Sequence, residues 1–216
     1  MKMSAKVRTL RRNPLGRNAL QERQRGETRQ RLVQAARRVF ERQSYAETRV
    51  EDVLAEATIS RATFYTHFDG KLAIVRAIAA EFLPVWQAHF DKLSAMARFA
   101  LPALESWTRQ YVDIYRKNEA TCILLTQVSA LEPEFYWQLA GEQEALIARL
   151  GDSIPAFARS RADSADGRSA HMRASLLLSQ LDQVGYFLAI RRWKSDPETG
   201  IRVMAEQLEV FLNASD

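Results

Sequence analysis

Residues 60–71 combine polar, basic and aromatic side chains in a pattern that suits contact with a nucleic acid. Ser60 has the residue type of a helix N-cap, and the residues after it predict a short helix with two unlike sides. One side is apolar and holds Ala62, Phe64 and Phe68. The other side carries side chains that can donate hydrogen bonds to phosphates and base edges: Arg61, Thr63, Tyr65, Thr66 and His67.

A second short helix is predicted immediately before this segment. Its apolar residues repeat at i, i+3, i+4 and i+7: Val50, Val53, Leu54 and Ala57. Thr48, followed three residues later by Glu51, has the pattern of a capping box at the start of that helix. Thr58 and Ile59 form the break between the two helices. Two short helices across a tight turn constitute a helix-turn-helix, whose second helix can enter the major groove of DNA.

Residues 28–75 resemble the DNA-binding domain of the TetR (tetracycline repressor) family of bacterial transcriptional regulators. The resemblance is carried by Ala35, Ala36, Phe40, Thr48, Val50, Val53, Ala57, Ile59, Ser60, Phe64, Tyr65, His67, Phe68 and Lys71. The most specific part is the aromatic-Tyr-x-His-Phe-x-x-Lys run at residues 64–71. Ser44 and Thr58 depart from the family pattern, which has Gly at both positions. A left-handed backbone at either residue costs about 1 kcal/mol or more.

The resemblance implies roles for individual residues around the recognition helix. Positions that contact phosphates in the family are matched by Thr48, Tyr65, His67 and Lys71. Groove-facing positions that contact base edges are matched by Arg61, Ala62, Thr63 and Thr66. Arg61 suits bidentate pairing with a guanine, and the methyl groups of Ala62 and Thr63 suit thymine. For His67, a purely structural role is the alternative.

Positive charge is concentrated in the first 26 residues. They hold eight Lys or Arg residues against one Glu, a net charge of +7, which leaves −2 for the rest of a chain whose total is +5. We predict that residues 1–26 form a flexible basic arm, drawn to an anionic partner. Next to a helix-turn-helix, the DNA backbone or minor groove is the favoured partner, and a merely solubilising tail is the alternative.

The composition favours an all-α protein. Of 216 residues, 47% are hydrophobic and 26% charged, with only 8 Gly and 6 Pro. The single cysteine, Cys122, excludes an internal disulfide and suits a reducing cytoplasm; a small core residue is its expected role, and a redox-sensing thiol is the alternative. No apolar run is long enough for a membrane span, so we expect a cytoplasmic protein without a membrane partner.

Nothing in the sequence predicts an enzyme. The histidines, at 67, 89 and 171, lack metal-ligand spacing, and neither a Gly-rich phosphate loop nor a nucleophile elbow is present. Glu142 and Glu144 are predicted to lie on a solvated helix face. We therefore expect no catalytic residue, metal site or cofactor.

The domain prediction is residues 1–26 as the arm, 27–75 as the helix-turn-helix domain, and 76–216 as a helical effector-binding and dimerisation domain. The helix-turn-helix domain is too small to bury much surface alone and is expected to pack against the later helices. Residues 159–169 are predicted to be a loop. The predicted helices outside the helix-turn-helix span 27–42, 71–95, 102–117, 119–132, 133–150 with an extension past 155, 171–193 and 197–212.

The resemblance also implies a homodimer, here through residues 171–212, and a cavity for a small, partly hydrophobic effector. The candidate cavity residues are Trp86, His89, Phe90, Trp107, Tyr111, Tyr115, Gln127 and Phe187, with Gln180 and Asp182 as further polar candidates. For each of them an ordinary core or surface position is the alternative. The function expected is a repressor that binds a palindromic DNA operator as a dimer and is released by the effector. A non-catalytic helical adaptor or a nonspecific nucleic-acid-binding protein is the alternative.

Overall fold

The structure is a computed structural model that describes residues 14–191 and 196–214, with side chains from residue 21 onwards. Within those ranges the regular elements are helices. In chain order they are α1 (Pro14–Arg42), α2 (Val50–Ala57), α3 (Arg61–Tyr65), α4 (Lys71–Ser94), α5 (Leu101–Lys117), α6 (Glu119–Leu131), α7 (Pro133–Leu150), α8 (Pro155–Ala158), a 3₁₀ turn (Arg159–Arg161), α9 (Ala165–Gly185), a π-helical turn (Tyr186–Ile190) and α10 (Pro197–Leu212). This confirms the all-α prediction.

Helix α1 begins at Pro14, whereas the sequence predicted a helix from residue 27 and a flexible arm before it. The arm prediction is therefore wrong for residues 14–26, and residues 1–13 lie outside the described part. Pro14 is suited to the first helical turn, and the stretch after it is rich in strong helix formers, including Ala19, Leu20 and Glu22. Because the buried half of α1 supplies the nucleus, each further turn adds hydrogen bonds without a new nucleation cost.

Helices α1 to α3 and the first half of α4 surround one small core, which we call the head. Leu32, Ala36 and Val39 of α1 are buried there against Phe64 and Phe68. Ala62 is exposed, so its predicted place on the apolar side is wrong. The head core continues into side chains of α6 and α7: Leu124, Leu125, Val128 and Phe135. The prediction that the head packs against later helices is confirmed.

The remaining helices enclose a larger core rich in aromatic rings. Trp107 and Tyr111 of α5 are almost completely buried, as is Phe90 of α4. His89 stacks on Trp107 at a centroid distance of 4.4 Å, and its Nε2 lies 3.1 Å from the Trp107 carbonyl oxygen. Burial lowers the pKa of His89 to about 4, so the ring is neutral at physiological pH.

Helix α9 begins at residue 165, so the predicted loop over residues 159–169 is wrong for its second half. Ser164 is the N-cap, and its Oγ accepts a hydrogen bond of 3.0 Å from the Gly167 N–H. A serine N-cap satisfies one of the free N–H groups at a helix start, which explains why the helix extends into polar sequence. At the other end, the Arg191 N–H donates to the Tyr186 carbonyl five residues earlier, as in a π-helix.

No helix within residues 14–191 and 196–214 is long and apolar enough to cross a membrane. In the same ranges, no group of three or more His, Cys, Asp or Glu side chains is arranged to hold a metal ion.

Candidate nucleic-acid interface and ligand cavity

The start of α2 differs from the predicted capping box. Thr48 is buried, and its Oγ1 donates a 2.9 Å hydrogen bond back to the Ser44 carbonyl. The N-cap is Arg49, whose backbone N–H donates to Asp52 Oδ2 at 2.7 Å. The prediction of Thr48 paired with Glu51 is therefore wrong, because Thr48 closes the turn from α1. The Thr48 hydroxyl is therefore not free to contact a phosphate.

The turn between α2 and α3 contains strained backbone. Thr58 has φ 53° and ψ 49°, a left-handed conformation, and is the one non-glycine residue with positive φ in the described ranges. The Ile59 N–H donates to the Leu54 carbonyl at 3.2 Å, which closes a turn of the Schellman type. The family pattern has glycine at residues 44 and 58. The backbone is left-handed at Thr58 and not at Ser44.

Helix α3 begins as predicted. Ser60 Oγ accepts a 3.1 Å hydrogen bond from the Thr63 N–H, and the two hydroxyl oxygens lie 2.8 Å apart. Thr66 Oγ1 donates to the Thr63 carbonyl at 2.7 Å. Phe64 is buried, while Arg61, Ala62, Tyr65 and Thr66 are exposed. Of the residues predicted to face DNA, Thr63 and His67 are partly buried, and the others on this side are exposed to solvent.

Arg61 is held in place by groups on both helices of the motif. Its guanidinium forms an ion pair with the Glu51 carboxylate of α2 and lies 5.5 Å from the Tyr65 ring centroid. The side chains of Arg61 and Glu51 are both more than half exposed, so the pair is screened by water. A guanine edge would have to replace or share the Glu51 carboxylate as partner of Arg61.

Lys71 is partly buried and fastens α4 to the loop before α2. Its Nζ donates to the carbonyls of Tyr45, at 2.5 Å, and Thr48, at 2.9 Å. The ammonium also lies 3.9 Å from the Tyr45 ring centroid. Burial lowers the pKa of Lys71. The lysine therefore positions the motif, and its charge is already shared with two carbonyl groups.

Arginines of α1 lie beside the end of α3 and the residues that follow it. The sequence did not predict this arrangement. Arg25 Nη2 donates to the Thr66 carbonyl at 3.4 Å, and the Arg29 guanidinium lies 4.8 Å from the Phe68 ring centroid. Burial first, and then these two arginines, lower the pKa of His67. Arg25 and Arg29 are spaced i, i+4, which places them on one face of a helix. This spacing was informative only if α1 begins before residue 27, as it does in the structure.

A cavity of about 420 Å³ lies between α4, α6, α7 and α9. Of the residues predicted to line such a cavity, Trp86, Tyr115 and Asp182 do so. The full lining is Phe82, Leu83, Trp86, Tyr115, Cys122, Leu125, Thr126, Ser129, Tyr136, Leu139, Ala140, Glu142, Gln143, Ser179, Asp182, Gln183 and Tyr186. Glu142, predicted to be on a solvated face, is thus partly buried at the cavity.

The other predicted cavity residues lie elsewhere. Four of them belong to the buried aromatic core: His89, Phe90, Trp107 and Tyr111. Gln127 points towards the head, where its Oε1 accepts a 3.1 Å hydrogen bond from the Tyr45 N–H. Phe187 and Gln180 are exposed and outside the lining. Helical periodicity identified apolar faces, but several helices have more than one, and only their packing decides which face borders a void.

Asp182 is the chemically distinctive group of the cavity. Its Oδ1 accepts hydrogen bonds from the Tyr111 hydroxyl and, at 2.9 Å, from the Tyr115 hydroxyl. Trp86 Nε1–H donates to the Tyr111 oxygen at 2.9 Å, which leaves the tyrosine proton for Asp182. Burial raises the pKa of Asp182 in spite of these bonds. Burial and the nearby Asp182 also raise the pKa of Cys122 to about 12, so this thiol is protonated.

Gly185 permits that arrangement. A Cβ at this position would lie 2.6 Å from the Tyr115 ring, closer than side-chain carbons approach one another. The Tyr115 ring therefore packs directly on the α9 backbone, one turn from Asp182, and its hydroxyl reaches the carboxylate.

Helix α6 contacts the cavity and the head at once. Its cavity residues recur at i, i+3, i+4 and i+7: Cys122, Leu125, Thr126 and Ser129. Its other side reaches the head, because Arg37 of α1 donates to Thr121 Oγ1 at 3.0 Å and pairs with Glu81 of α4 at 2.8 Å. The Tyr45 hydroxyl donates to Glu132 at 2.8 Å, just past the end of α6.

Helices α9 and α10 expose large apolar side chains. Met172 and Leu176 are one turn apart on α9 and are 58% and 57% exposed, while Val203 and Val210 are two turns apart on α10 and are 47% and 73% exposed. The two helices pack against each other. A pair of neighbouring helices with exposed apolar residues is typical of a protein–protein interface.

The fold and site together define an all-α protein with an N-terminal helix-turn-helix and a cavity between α4, α6, α7 and α9. Residues 32–78 match the family model described as bacterial regulatory proteins, tetR family. The chain is 37% identical over 54 residues to the HTH-type transcriptional regulator SrpR of Pseudomonas putida. It is equally similar, over 54 residues, to the uncharacterized HTH-type transcriptional regulator TtgW, also of Pseudomonas putida.

These matches cover 25% of this chain, and they span only 25% of SrpR and 40% of TtgW. The fold is similar throughout to a solved TetR-family transcriptional regulator from Syntrophomonas wolfei, with a TM-score of 0.64 at 14% identity. That similarity covers 88% of this chain and 96% of the other. The family and both relatives are transcriptional regulators, which is a non-enzymatic class.

Proposed function

We propose that this protein is a homodimeric, ligand-responsive DNA-binding repressor that is released from a palindromic operator by a small effector. The observation that carries the proposal is the exposed polar side of α3, fixed from behind by buried Phe64 and capped by Ser60. A helix held in this way can present several hydrogen-bonding side chains to a DNA groove, because the contacts that fix it lie on its other side and at its N-terminus.

The residues fall into two groups by what they offer DNA. We assign contacts with base edges to Arg61, Ala62, Thr63 and Thr66, and contacts with phosphates to Tyr65 and His67. Arg25 of α1 adds a positive charge beside Thr66. Lys71, Thr48 and Ser60 act mainly by holding the motif in shape, since their polar groups are engaged within the protein.

The exposed apolar side chains of α9 and α10 support a dimer. Two heads with a fixed separation match two half-sites of a palindrome, because the two-fold symmetry of the protein is repeated in the DNA. Residues 171–212 are therefore the proposed dimerisation segment.

The effector is proposed to bind the cavity bordered by α6. Because α6 also bonds to Tyr45 and Arg37, a ligand that moves α6 shifts the head relative to the rest of the subunit. If that altered spacing fits the operator less well, ligand and DNA bind antagonistically, and each lowers the affinity for the other by the same factor.

The proposal is tested by measuring fluorescence anisotropy of labelled duplexes from the region upstream of the protein's own gene. Each is compared with a scrambled duplex of equal composition, in salt from about 50 to 200 mM. We expect one palindrome-like duplex to bind at least about 10³-fold more tightly than its scrambled form, with two chains per duplex. Equal affinity for all duplexes would favour a nonspecific nucleic-acid-binding protein, and no binding at low salt would favour a helical adaptor.

A further inference from the structure

The charge of the cavity lining is entirely negative. Asp182 and Glu142 are its charged residues, and among the described residues that line it there is no Lys, Arg or His. The nearby Arg191 is not part of the lining; its guanidinium lies 5.6 Å from the Tyr186 ring centroid. The cavity therefore holds a partly buried carboxylate whose hydrogen-bond partners are two phenol groups rather than a cation.

A carboxylate in such surroundings is costly to the protein alone. Hydrogen bonds from Tyr111 and Tyr115 recover part of the lost hydration, but the charge stays uncompensated. Both phenol bonds end on Oδ1, so Oδ2 accepts neither of them. A positive group entering the cavity would meet a carboxylate that is already oriented.

The aromatic lining adds a second feature that favours a cation. Trp86, Tyr115 and Tyr136 border the cavity together with Phe82 and Tyr186. The faces of such rings attract ammonium groups, most strongly where water is excluded. Leu83, Leu125 and Leu139 supply an apolar surface for the remainder of a ligand.

We propose that the cavity binds a small lipophilic organic cation, an amine or quaternary ammonium with an aromatic or aliphatic body, with Asp182 as the counter-charge. This rests on the proposed function, since it names the effector class for the same cavity. Glu142, on α7, adds a weaker attraction at the edge. An anionic ligand, such as a carboxylate or phosphate, is disfavoured because it would meet two acidic groups and no base.

The test uses two rigid probes of the same shape and opposite charge, tetraphenylphosphonium and tetraphenylborate, with benzyltrimethylammonium as a smaller cation. Binding to the full chain is measured by isothermal titration calorimetry. We expect at least one cation to bind, and tetraphenylborate to bind about tenfold or more weakly than tetraphenylphosphonium. Asp182→Asn should weaken cation binding about tenfold or more without improving the anion's binding to the level of the cation.

A matched pair of variants covers the case in which Asp182→Asn does not fold. Glu142→Gln should weaken cation binding about two- to fivefold, because a partly exposed charge is screened. Glu144→Gln, two residues along the same helix, should have no effect. Glu144 lies outside the lining and faces His171, with Oε1 3.3 Å from Nε2.

The proposal is overturned if tetraphenylborate binds as well as the phosphonium, if none of the probes binds, or if the charge-removing variants at 182 and 142 bind the cations as the unaltered chain does. The duplex measurement, made without probes, reports separately on the regulator. Specific DNA binding with failed cation binding would refute only the ligand class, and loss of both would refute the proposed function as well.

Discussion

Thr58→Gly is expected to stabilise the protein. Thr58 is a β-branched residue in the left-handed region, with φ 53°, at a position where its side chain is exposed. The left-handed conformation costs an L-residue about 1–2 kcal/mol, and glycine does not incur this cost. Glycine instead increases the freedom of the unfolded chain, which costs about 0.5–1 kcal/mol. The difference between the two ranges is a gain of about 0–1.5 kcal/mol in the free energy of unfolding, with a central value of about 0.7 kcal/mol.

The assay is urea denaturation followed by circular dichroism, with a thermal scan as a second measurement. For a chain of 216 residues, 1 kcal/mol corresponds to about 2–4 °C in the melting temperature. Operator affinity should rise slightly or stay constant, since the backbone keeps the same turn.

Ser44→Gly is the matched control, because the family pattern has glycine at both positions. Ser44 is not left-handed, and its Oγ accepts from the Glu47 N–H at 3.3 Å and donates to Glu47 Oε2 at 2.8 Å. This variant should lose about 1 kcal/mol. If Thr58→Gly is destabilising, or if both variants are stabilised equally, the left-handed backbone at Thr58 does not carry the energetic cost assigned to it.

Four other predictions concern binding and stability. Arg61→Ala should relax base preference at one operator position by about 1–3 kcal/mol, measured with duplexes substituted at each base pair, while Arg149→Ala on α7 leaves the preference unchanged. Deleting residues 1–13, which hold Lys2, Lys6, Arg8, Arg11 and Arg12, should weaken binding and flatten the plot of log affinity against log salt. Gln127→Ala should lower the free energy of unfolding by about 1 kcal/mol, because it removes the acceptor for the Tyr45 N–H, and Gln127→Glu, which keeps an acceptor, should lose less. His89→Gln should reduce the acid sensitivity of unfolding: the pKa of His89 falls from 6.5 to about 4 on folding, so the stability it contributes is complete above pH 6.5 and decreases as pH falls, by about 2 kcal/mol at pH 5.

Each of these has a result that would contradict it. An unchanged base preference in Arg61→Ala would exclude its contact with a base edge, and an unchanged salt slope would show that residues 1–13 do not contact DNA. If Gln127→Glu is as unstable as Gln127→Ala, the hydrogen bond to Tyr45 is not the stabilising contact. If the denaturation midpoints of the unaltered chain and His89→Gln fall in parallel between pH 7 and pH 5, other groups control acid unfolding.

Three local features of the head were predictable from sequence because they depend on neighbours along the chain, although the Thr48 capping box and the place of Ala62 were not. The Ser60 cap, the burial of Phe64 and the left-handed Thr58 all arise within about four residues. Lys71 was different: its two acceptors, Tyr45 and Thr48, lie more than 20 residues earlier, and only the packing of α4 against the loop before α2 brings them together. From sequence it resembled a free phosphate ligand.

The cavity was predicted less well for the same reason. Asp182 was a candidate because it is a polar residue in an apolar helix, and it does line the cavity. Glu142 and Tyr136 could not be singled out, since a partly exposed residue beside a void has the same sequence pattern as one facing solvent. The extent of α1 was missed because a high density of arginine was interpreted as a signal for an unstructured arm, although arginine and glutamine are good helix formers.

The two sides of α6 also affect how such a protein can diversify. Cavity residues such as Cys122 and Thr126 alternate along the helix with Thr121 and Gln127, which bond to the head. If the cavity binds the effector as proposed, substitutions in the first set would alter which ligands bind, and substitutions in the second would alter how strongly ligand binding changes the position of the head. Leu125 belongs both to the cavity lining and to the head core, so a change there would alter selectivity and response together. Ligand selectivity and the strength of coupling to the head can therefore change largely independently through substitutions within the 13 residues of α6.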